Sequence, residues 1–304
     1  SGRKPAFALE GAPASMNATR ELARELRGKR VGVVLSAGYF GFYGHAGFVA
    51  ALRGVGIEPA AYAGTSAGAL VAALAASGLE PSEIAARLLR LQRNDFWDPS
   101  PISWLLDAIR GRIPTGLLAG RRFRRLLAEV LPVDRIEDTP TPLVIATTDV
   151  THAELRVHTE GDLVEVICAS CAYPGLFCTV NHGGAELWDG GLVDKAPLWA
   201  LAEGRELDAL VVHYLPSRVR SQRPTRPLGY LGAMGRAMAA ARHQGFEWQA
   251  RLCEAKGIPV YVIAPELPAL SPRRLQRGRE VIGLATAAGA KALAAPPESS
   301  RPYA

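Results

Sequence analysis

The sequence predicts an α/β protein of three layers, with helices on both faces of a largely parallel central sheet. Three observations predict it. First, five short apolar runs, several of them β-branched and all lacking sustained polar alternation, read as buried strands: VGVVL at 31–35, AAYAG at 60–64, PLVIATT at 142–148, ALVVHYL at 209–215 and IPVYVIA at 258–264. Second, helical patterns separate most of these runs, and alternating β and α segments form parallel sheets covered on both sides. Third, a chain of 304 residues can bury roughly 75% of its unfolded surface, enough for one such core with a shaped cleft.

The elements follow in order. Residues 1–13 read as an irregular leader to a single domain over 14–294, whose informative motifs fall within 30–215. A helix is expected from Ser15 to Arg27, with Gly28 as its C-terminal cap. After the first strand a helix runs from Gly44 to Arg53, and after the second another runs from Ala67 to Ser77, ending at Gly78. Residues 97–120, rich in Pro, Gly and Trp, suggest a cap or lid. The stretch PSRVRSQRPTRP at 216–227 suggests a mobile loop, and 295–304 a frayed tail.

Composition narrows the function. Hydrophobic residues make up 48% and charged ones 21%, an ordinary globular balance that argues against a wholly disordered chain. Mean hydropathy is only +0.07, and no apolar run approaches the roughly 18 residues of a transmembrane helix. A soluble, cytoplasmic or peripheral membrane protein is therefore expected. The chain opens Ser-Gly and not Met, as a scar of expression would leave it, so a lost signal is compatible with this reading.

The net charge is +6, and only five of the 35 basic residues are Lys. Arginine suits forked contacts with phosphate or carboxylate, so an anionic partner is one reading and codon composition another. No nucleic-acid-binding module is recognisable, and none is expected to act here. Four cysteines do not make a disulfide framework in a chain this long. Cys168 and Cys171 have redox-motif spacing but sit in the apolar run VICASCAYPGLF, and Cys178 and Cys253 supply no second pair for zinc. Structural thiols are the expectation.

Three segments carry chemistry. Gly64-Thr65-Ser66-Ala67-Gly68 stands between a predicted strand and a predicted helix, the setting of a nucleophile elbow. Such a turn leaves no room for side chains at the flanking positions, which Gly64 and Gly68 satisfy, and it projects the central hydroxyl into a cleft beside a helix N-terminus. SAGYFGFYGHAG at 36–47 is a second strand-to-helix turn, with Gly at 38, 41, 44 and 47. Its glycines suit either close helix packing or backbone N–H groups turned toward an anion. The third segment, LWDGGLVDKAPL at 187–198, has Asp189 before two glycines; alone it reads as a turn.

Taken in order, these segments resemble the patatin-like phospholipase family: a Gly-rich loop after the first strand, then G-T-S-A-G, then A-S-C-A-Y-P-G-L-F ahead of D-G-G-L-V-D-K-A-P. Supporting matches are Pro142-Leu143 through Ala146–Asp149 and the helix beginning near His45, and the resemblance covers about residues 30–215. It implies a patatin-like fold and a lipid acyl hydrolase with a Ser–Asp dyad, needing no metal or organic cofactor. By motif, Ser66 would be the nucleophile, Asp189 the general base, and the backbone N–H groups of Ala37, Gly38 and Tyr39 the oxyanion hole. Two departures bear on that hole. Where the family loop usually reads G-G-G-x-R-G, this one reads A-G-Y-F-G-F, with Tyr39 in place of Gly and Gly41 in place of Arg.

Lipid access calls for an interfacial surface. GRRFRRLLAEV at 120–130 puts Phe123, Leu126, Leu127 and Val130 on one helical face, and Arg121, Arg122, Arg124 and Arg125 over much of the rest. That suits either an anionic headgroup surface or plain solvation. Residues 209–246 hold six Arg and no acid, a second patch of this kind. Two rival readings stand beside the dyad. One is a Ser–Asp–His triad using His213 or His243, both downstream of Asp189, although His213 inside a strand reads as a core histidine. The other is a lipid-binding relative without catalysis, motivated by Tyr39 and Gly41.

Overall fold

A computed structural model describes residues 21–99, 109, 111, 115–216 and 229–300. Most of the expected cap at 97–120, the 217–227 part of the expected loop, and residues 301–304 lie outside the described residues. So do Arg218, Arg220, Arg223 and Arg226.

Ten strands are described: β1 (Val31–Leu35), β2 (Ala61–Thr65), β3 (Gly116–Leu118), β4 (Leu143–Asp149), β5 (Glu154–His158), β6 (Gly175–Phe177), β7 (Val180–His182), β8 (Ala185–Asp189), β9 (Ala209–His213) and β10 (Val260–Ile263). The helices are α1 (Leu22–Leu26), α2 (Phe42–Gly54), α3 (Ala67–Ala76), α4 (Pro81–Leu89), α5 (Arg121–Val130), α6 (Leu163–Ser170), α7 (Leu198–Ala202), α8 (Tyr230–Ala255) and α9 (Gly278–Ala294). The main sheet runs β10-β9-β1-β2-β4-β8-β7, with β5 on the other edge of β4. The first five in that order are mutually parallel. The five strands expected from apolar runs are these five, and the α/β reading holds.

Side-chain alternation divides the core into two layers. Val33 and Leu35 of β1 and Tyr62 of β2 join a large apolar cluster with α2, α3, α4 and α9. Val34, Ala61 and Ala63 face the opposite side, against Leu198 and Leu201 of α7 and Phe246 and Ala250 of α8. Gly47 lets α2 approach α9 closely, because a Cβ there would stand 2.4 Å from the Ile282 carbonyl oxygen. The helix-packing role considered for these glycines is thus filled by Gly47, not by the loop before it. The expected tail is ordered at first: Pro297–Ser300 form a 3₁₀ turn, and the Ala295 carbonyl accepts from Leu22 N–H at 2.9 Å.

One feature of the sheet positions everything that follows. On β4, Ile145 pairs with Gly64 on one side and His158 on the other, whereas Thr147 pairs with Arg156 and Asp189. Strands β2 and β8 therefore share one edge of β4 end to end, approaching from opposite directions. Thr65 ends β2 opposite Ala146, and Asp189 ends β8 opposite the next residue, Thr147. The residues that leave these two strands must meet.

Candidate active site

Ser66 follows Thr65 directly and caps α3 with φ 57° and ψ −124°. This is a rare conformation for a residue with a Cβ, of the kind that stores strain of about 1–3 kcal/mol at functional positions. The turn is tight enough to exclude side chains on both flanks. A Cβ on Gly64 would stand 2.5 Å from the Gly68 oxygen, and one on Gly68 only 2.1 Å from the Leu35 oxygen. At G-T-S-A-G the chain thus turns from strand to helix with a strained serine between two glycines that leave no room for a Cβ.

Asp189 closes β8 and is 5% exposed. It accepts a hydrogen bond at 2.7 Å from the Gly191 N–H, and the Ser66 hydroxyl lies close enough to lower its pKa. Gly190 fits here because a Cβ would meet the Ala146 oxygen at 2.3 Å. Burial raises the Asp189 carboxyl to a pKa of about 6; the Ser66 hydroxyl, the bond from Gly191 and the charge of Arg242 act the other way. Ser66 and Asp189, 123 positions apart in sequence, are brought together where β2 and β8 end on one edge of β4.

Three contributors escape the sequence reading. Ser170 Oγ accepts from the Ser66 N–H at 2.9 Å and donates to the Ala146 carbonyl at 2.8 Å, fixing the strained elbow to β4. Cys171 lies close enough to the Ser66 hydroxyl to interact with it, and burial raises its thiol well above the usual range, so it stays protonated. Arg242 of α8 donates to the Gly191 carbonyl at 2.6 Å. Ser170 and Cys171 lie in the A-S-C-A-Y-P-G-L-F motif, where the pattern marked a family but assigned no role to either. Arg242 has no local signal.

The Gly-rich loop is partly as expected. Ala37 N–H donates to the Lys195 carbonyl at 2.7 Å, so that donor is engaged in the fold and unavailable to an oxyanion. Among the described residues, the N–H groups of Gly38, Tyr39 and Ala67 donate to no acceptor. The left-handed conformation falls on Phe40, with φ 53°, and not on Tyr39, so a side chain at 39 costs the backbone no such strain. At position 41 a Cβ would stand 2.3 Å from Leu215 Cδ1 and 3.0 Å from the Gly38 carbonyl oxygen, so an Arg there would require the Leu215 side chain to move. A buried cation stands nearby instead, Lys195, which donates to the Leu215 carbonyl and lies 4.2 Å from the Tyr214 ring.

The histidines of the rival triad have partners of their own. His213 is fully buried, stacks on Phe48 at 4.5 Å, and shares a 2.8 Å hydrogen bond between its Nδ1 and that of His45. His45 Nε2 lies 2.8 Å from the Ser36 carbonyl, an obligate acceptor. His45 must therefore donate through Nε2 and accept at Nδ1, and His213 must donate through Nδ1. Burial lowers the His45 pKa to about 3 and that of His213 well below the ordinary value, so both are neutral. His243 pairs with Glu247 at 2.7 Å.

The Arg helix forms as α5. Leu127 is buried, Phe123, Leu126 and Val130 are half-buried, and all four of Arg121, Arg122, Arg124 and Arg125 are exposed. Arg121, Arg122 and Arg125 line a cavity of about 610 Å³ with Trp97 and Asp98. Among the described residues one group has metal-ligating spacing, Asp149, His152 and Glu154. Its buried member already accepts from the Thr151 and His152 N–H groups as the cap of the β4–β5 turn. The four cysteines are unpaired, as expected of structural thiols.

The family model that matches the chain is described as Patatin-like phospholipase and covers residues 33–202. Lysophospholipase NTE1 of Cryptococcus neoformans var. neoformans serotype D is 29% identical over 211 residues, or 69% of this chain and 13% of that protein. Neuropathy target esterase sws of Drosophila melanogaster is 30% identical over 180 residues, or 58% of this chain and 12% of that protein. The chain thus spans only 13% and 12% of the length of these curated relatives. Among solved structures, VipD from Legionella pneumophila aligns with a TM-score of 0.47 at 17% identity, covering 90% of this chain and 67% of that chain.

Proposed function

The chain belongs to the patatin-like phospholipase family, and we propose that it hydrolyses carboxylic esters of lipids through an acyl-Ser66 intermediate, with Asp189 as general base. The observation that supports this most directly is the meeting of the strained Ser66 and the buried Asp189 at the abutting ends of β2 and β8, with the Asp189 pKa raised by burial to about 6. A serine hydroxyl is a weak nucleophile unless a base takes its proton during attack, and a solvated carboxylate is too acidic to do so well. Dehydration of Asp189 narrows that gap.

In the proposed sequence Asp189 accepts the hydroxyl proton as Ser66 Oγ bonds to the ester carbon. The carbonyl oxygen becomes an oxyanion, stabilised by the N–H groups of Gly38, Tyr39 and Ala67. One such donor typically contributes about 10²–10³ in rate. The carbon–oxygen bond to the alcohol then breaks, and Asp189 returns its proton to the leaving oxygen. Water attacks the acyl-Ser66, Asp189 takes a proton from it, and that proton passes to Ser66 as the acid leaves. Every step uses groups of the chain and water. The exposure of Arg121, Arg122, Arg124 and Arg125 on α5 supports contact with anionic headgroups.

The test is hydrolysis of p-nitrophenyl esters of increasing acyl length, alongside phospholipid and lysophospholipid substrates. Turnover that rises with chain length supports a lipid ester; folded protein inert toward the whole series would favour the non-catalytic relative. Histidine variants address the triad. Removing a true general base costs about 10²–10⁴, whereas His213→Asn and His243→Ala are each expected to keep kcat within roughly tenfold. A loss in the larger range for either would return the proton to an imidazole.

A further inference from the structure

Lys195 is a buried cation that the proposed reaction leaves unused. It is 7% exposed, and lysine is rarely buried unless bonds hold its ammonium. Here the ammonium donates to the Leu215 carbonyl and lies 4.2 Å from the Tyr214 ring. The backbone carbonyl of the same residue accepts from the Ala37 N–H at 2.7 Å. Lys195 thus holds two segments at once: the loop after β1 through its main chain, and the exit of β9 through its side chain.

These bonds close a ring. Ser36 N–H donates to the His213 carbonyl at 3.2 Å, and Leu215 N–H donates to Ser36 Oγ at 2.9 Å, which carries the β1–β9 pairing past the strand ends. From Ser36 the ring passes to Ala37, across to Lys195, and through the ammonium back to Leu215. The Leu215 side chain then supports the turn that follows. A Cβ would stand 2.7 Å from Leu215 Cδ1 at Gly38, and 2.3 Å from it at Gly41. Gly38 and Tyr39, whose N–H groups are assigned to the oxyanion, follow directly after the bonded pair Ser36 and Ala37.

The segment that ends at Lys195 begins at the base. Asp194 N–H donates to the Gly190 carbonyl at 2.8 Å, and a Cβ on Gly191 would stand 2.7 Å from Ala37 Cβ. Residues 189–195 are therefore a compact link, with the Asp189 carboxylate at one end and the anchor of the loop at the other. A base and its oxyanion donors must be held to within about 0.5 Å of one geometry. This link sets their separation.

We propose that Lys195 is a positioning residue for the oxyanion donors: its ammonium, by tying its segment to Leu215, fixes the loop that presents the Gly38 and Tyr39 N–H groups. This rests on the ester-hydrolase reading above. Lys195 acts through Leu215 and the loop, and not on the substrate. The donors matter most when charge develops on the carbonyl oxygen, so loss of the brace should fall on kcat and spare KM.

The experiment compares wild type with Lys195→Met and Lys195→Arg on a short-chain p-nitrophenyl ester, with rates expressed per folded molecule. Met keeps the apolar stem but cannot donate, whereas Arg keeps a cationic donor that suits a carbonyl and an aromatic face. Lys195→Met is expected to lower kcat by about tenfold to a hundredfold, with KM within about threefold of wild type. It should weaken by a similar factor a trifluoromethyl ketone inhibitor, whose Ser66 adduct bears the oxyanion. Lys195→Arg is expected to recover most of both losses. Hydrogen exchange reads the brace without any substrate. The Ala37 and Gly41 amides, bonded to the Lys195 and Gly38 carbonyls, should exchange about tenfold faster or more in Lys195→Met, while β1 amides keep their wild-type rates. Unchanged exchange in the loop, a wild-type kcat, a kcat loss with inhibitor affinity intact, or an Arg variant no better than Met would each overturn the proposal. If Lys195→Met does not fold, Ser36→Ala opens the same ring by removing only the hydroxyl that accepts from Leu215 N–H. It should show the same faster exchange and lower kcat, and wild-type behaviour there would equally sink the brace. A wild type that cleaves no ester ends the hydrolase reading, while the exchange rates still decide whether Lys195 holds the loop.

Discussion

Ser66→Ala is expected to lower ester hydrolysis by about 10⁴-fold or more, and to abolish labelling by a fluorophosphonate probe that the wild type accepts. The position makes this a clean experiment. Ser66 holds φ 57° and ψ −124° whatever its side chain, and Ala carries the same Cβ penalty in that conformation, so the elbow neither gains nor loses strain. Its N–H still donates to Ser170 Oγ. Urea denaturation midpoints of variant and wild type should therefore agree closely, which assigns the loss to chemistry and not to folding. Cys171, close enough to the same hydroxyl to interact with it, is the side chain to watch. If labelling survives and is blocked by a thiol reagent, the nucleophile is the cysteine. If it survives such treatment, the elbow is not the reacting centre.

The reach of sequence reasoning can be followed residue by residue. Strands buried on both faces announce themselves as apolar runs, so β1, β2, β4, β9 and β10 were legible, and the Ser66 elbow lay at a strand-to-helix junction flanked by two glycines. Asp189 was different. Asp-Gly-Gly alone means a turn, and only the order of motifs gave it a role; the physical cause is the end-to-end arrangement of β2 and β8 on one edge of β4. That arrangement depends on the β7–β8 hairpin, which the apolar-run criterion passes over because β8 alternates buried and half-buried residues. A signal existed: Gly183 and Gly184 both take positive φ, 61° and 85°, and adjacent glycines between alternating segments mark a tight hairpin. The Ala37 donor failed for another reason. Whether an N–H is free depends on which carbonyl lies opposite it, here that of Lys195, and no spacing rule encodes that.

Asp189→Asn should produce an enzyme that is both nearly inactive and more stable. Loss of the base is expected to cost about 10³–10⁴ in kcat, with the Gly191 N–H still accepted by the amide oxygen and the Ser66 contact kept by the amide nitrogen. The stability effect follows from linkage. Burial raises the folded-state pKa from the ordinary 3.8 to about 6, so between those values the native state holds a proton that the unfolded chain releases. The native state gains from this below pH 3.8, and the gain is lost as pH rises through about 6. At neutral pH the wild type therefore carries a buried charge at a cost on the order of 2–3 kcal/mol, which the neutral amide removes. The difference in unfolding free energy between variant and wild type should thus be large at pH 8 and shrink toward zero near pH 4. Over the same range wild-type kcat/KM should fall on the acid side, reaching half its plateau near pH 6 as the base is protonated. The residual rate of the variant should show no such inflection. A variant no more stable than wild type at pH 8, or a wild-type profile without an acid limb, would mean that this carboxylate neither bears the cost of burial nor takes the proton from Ser66.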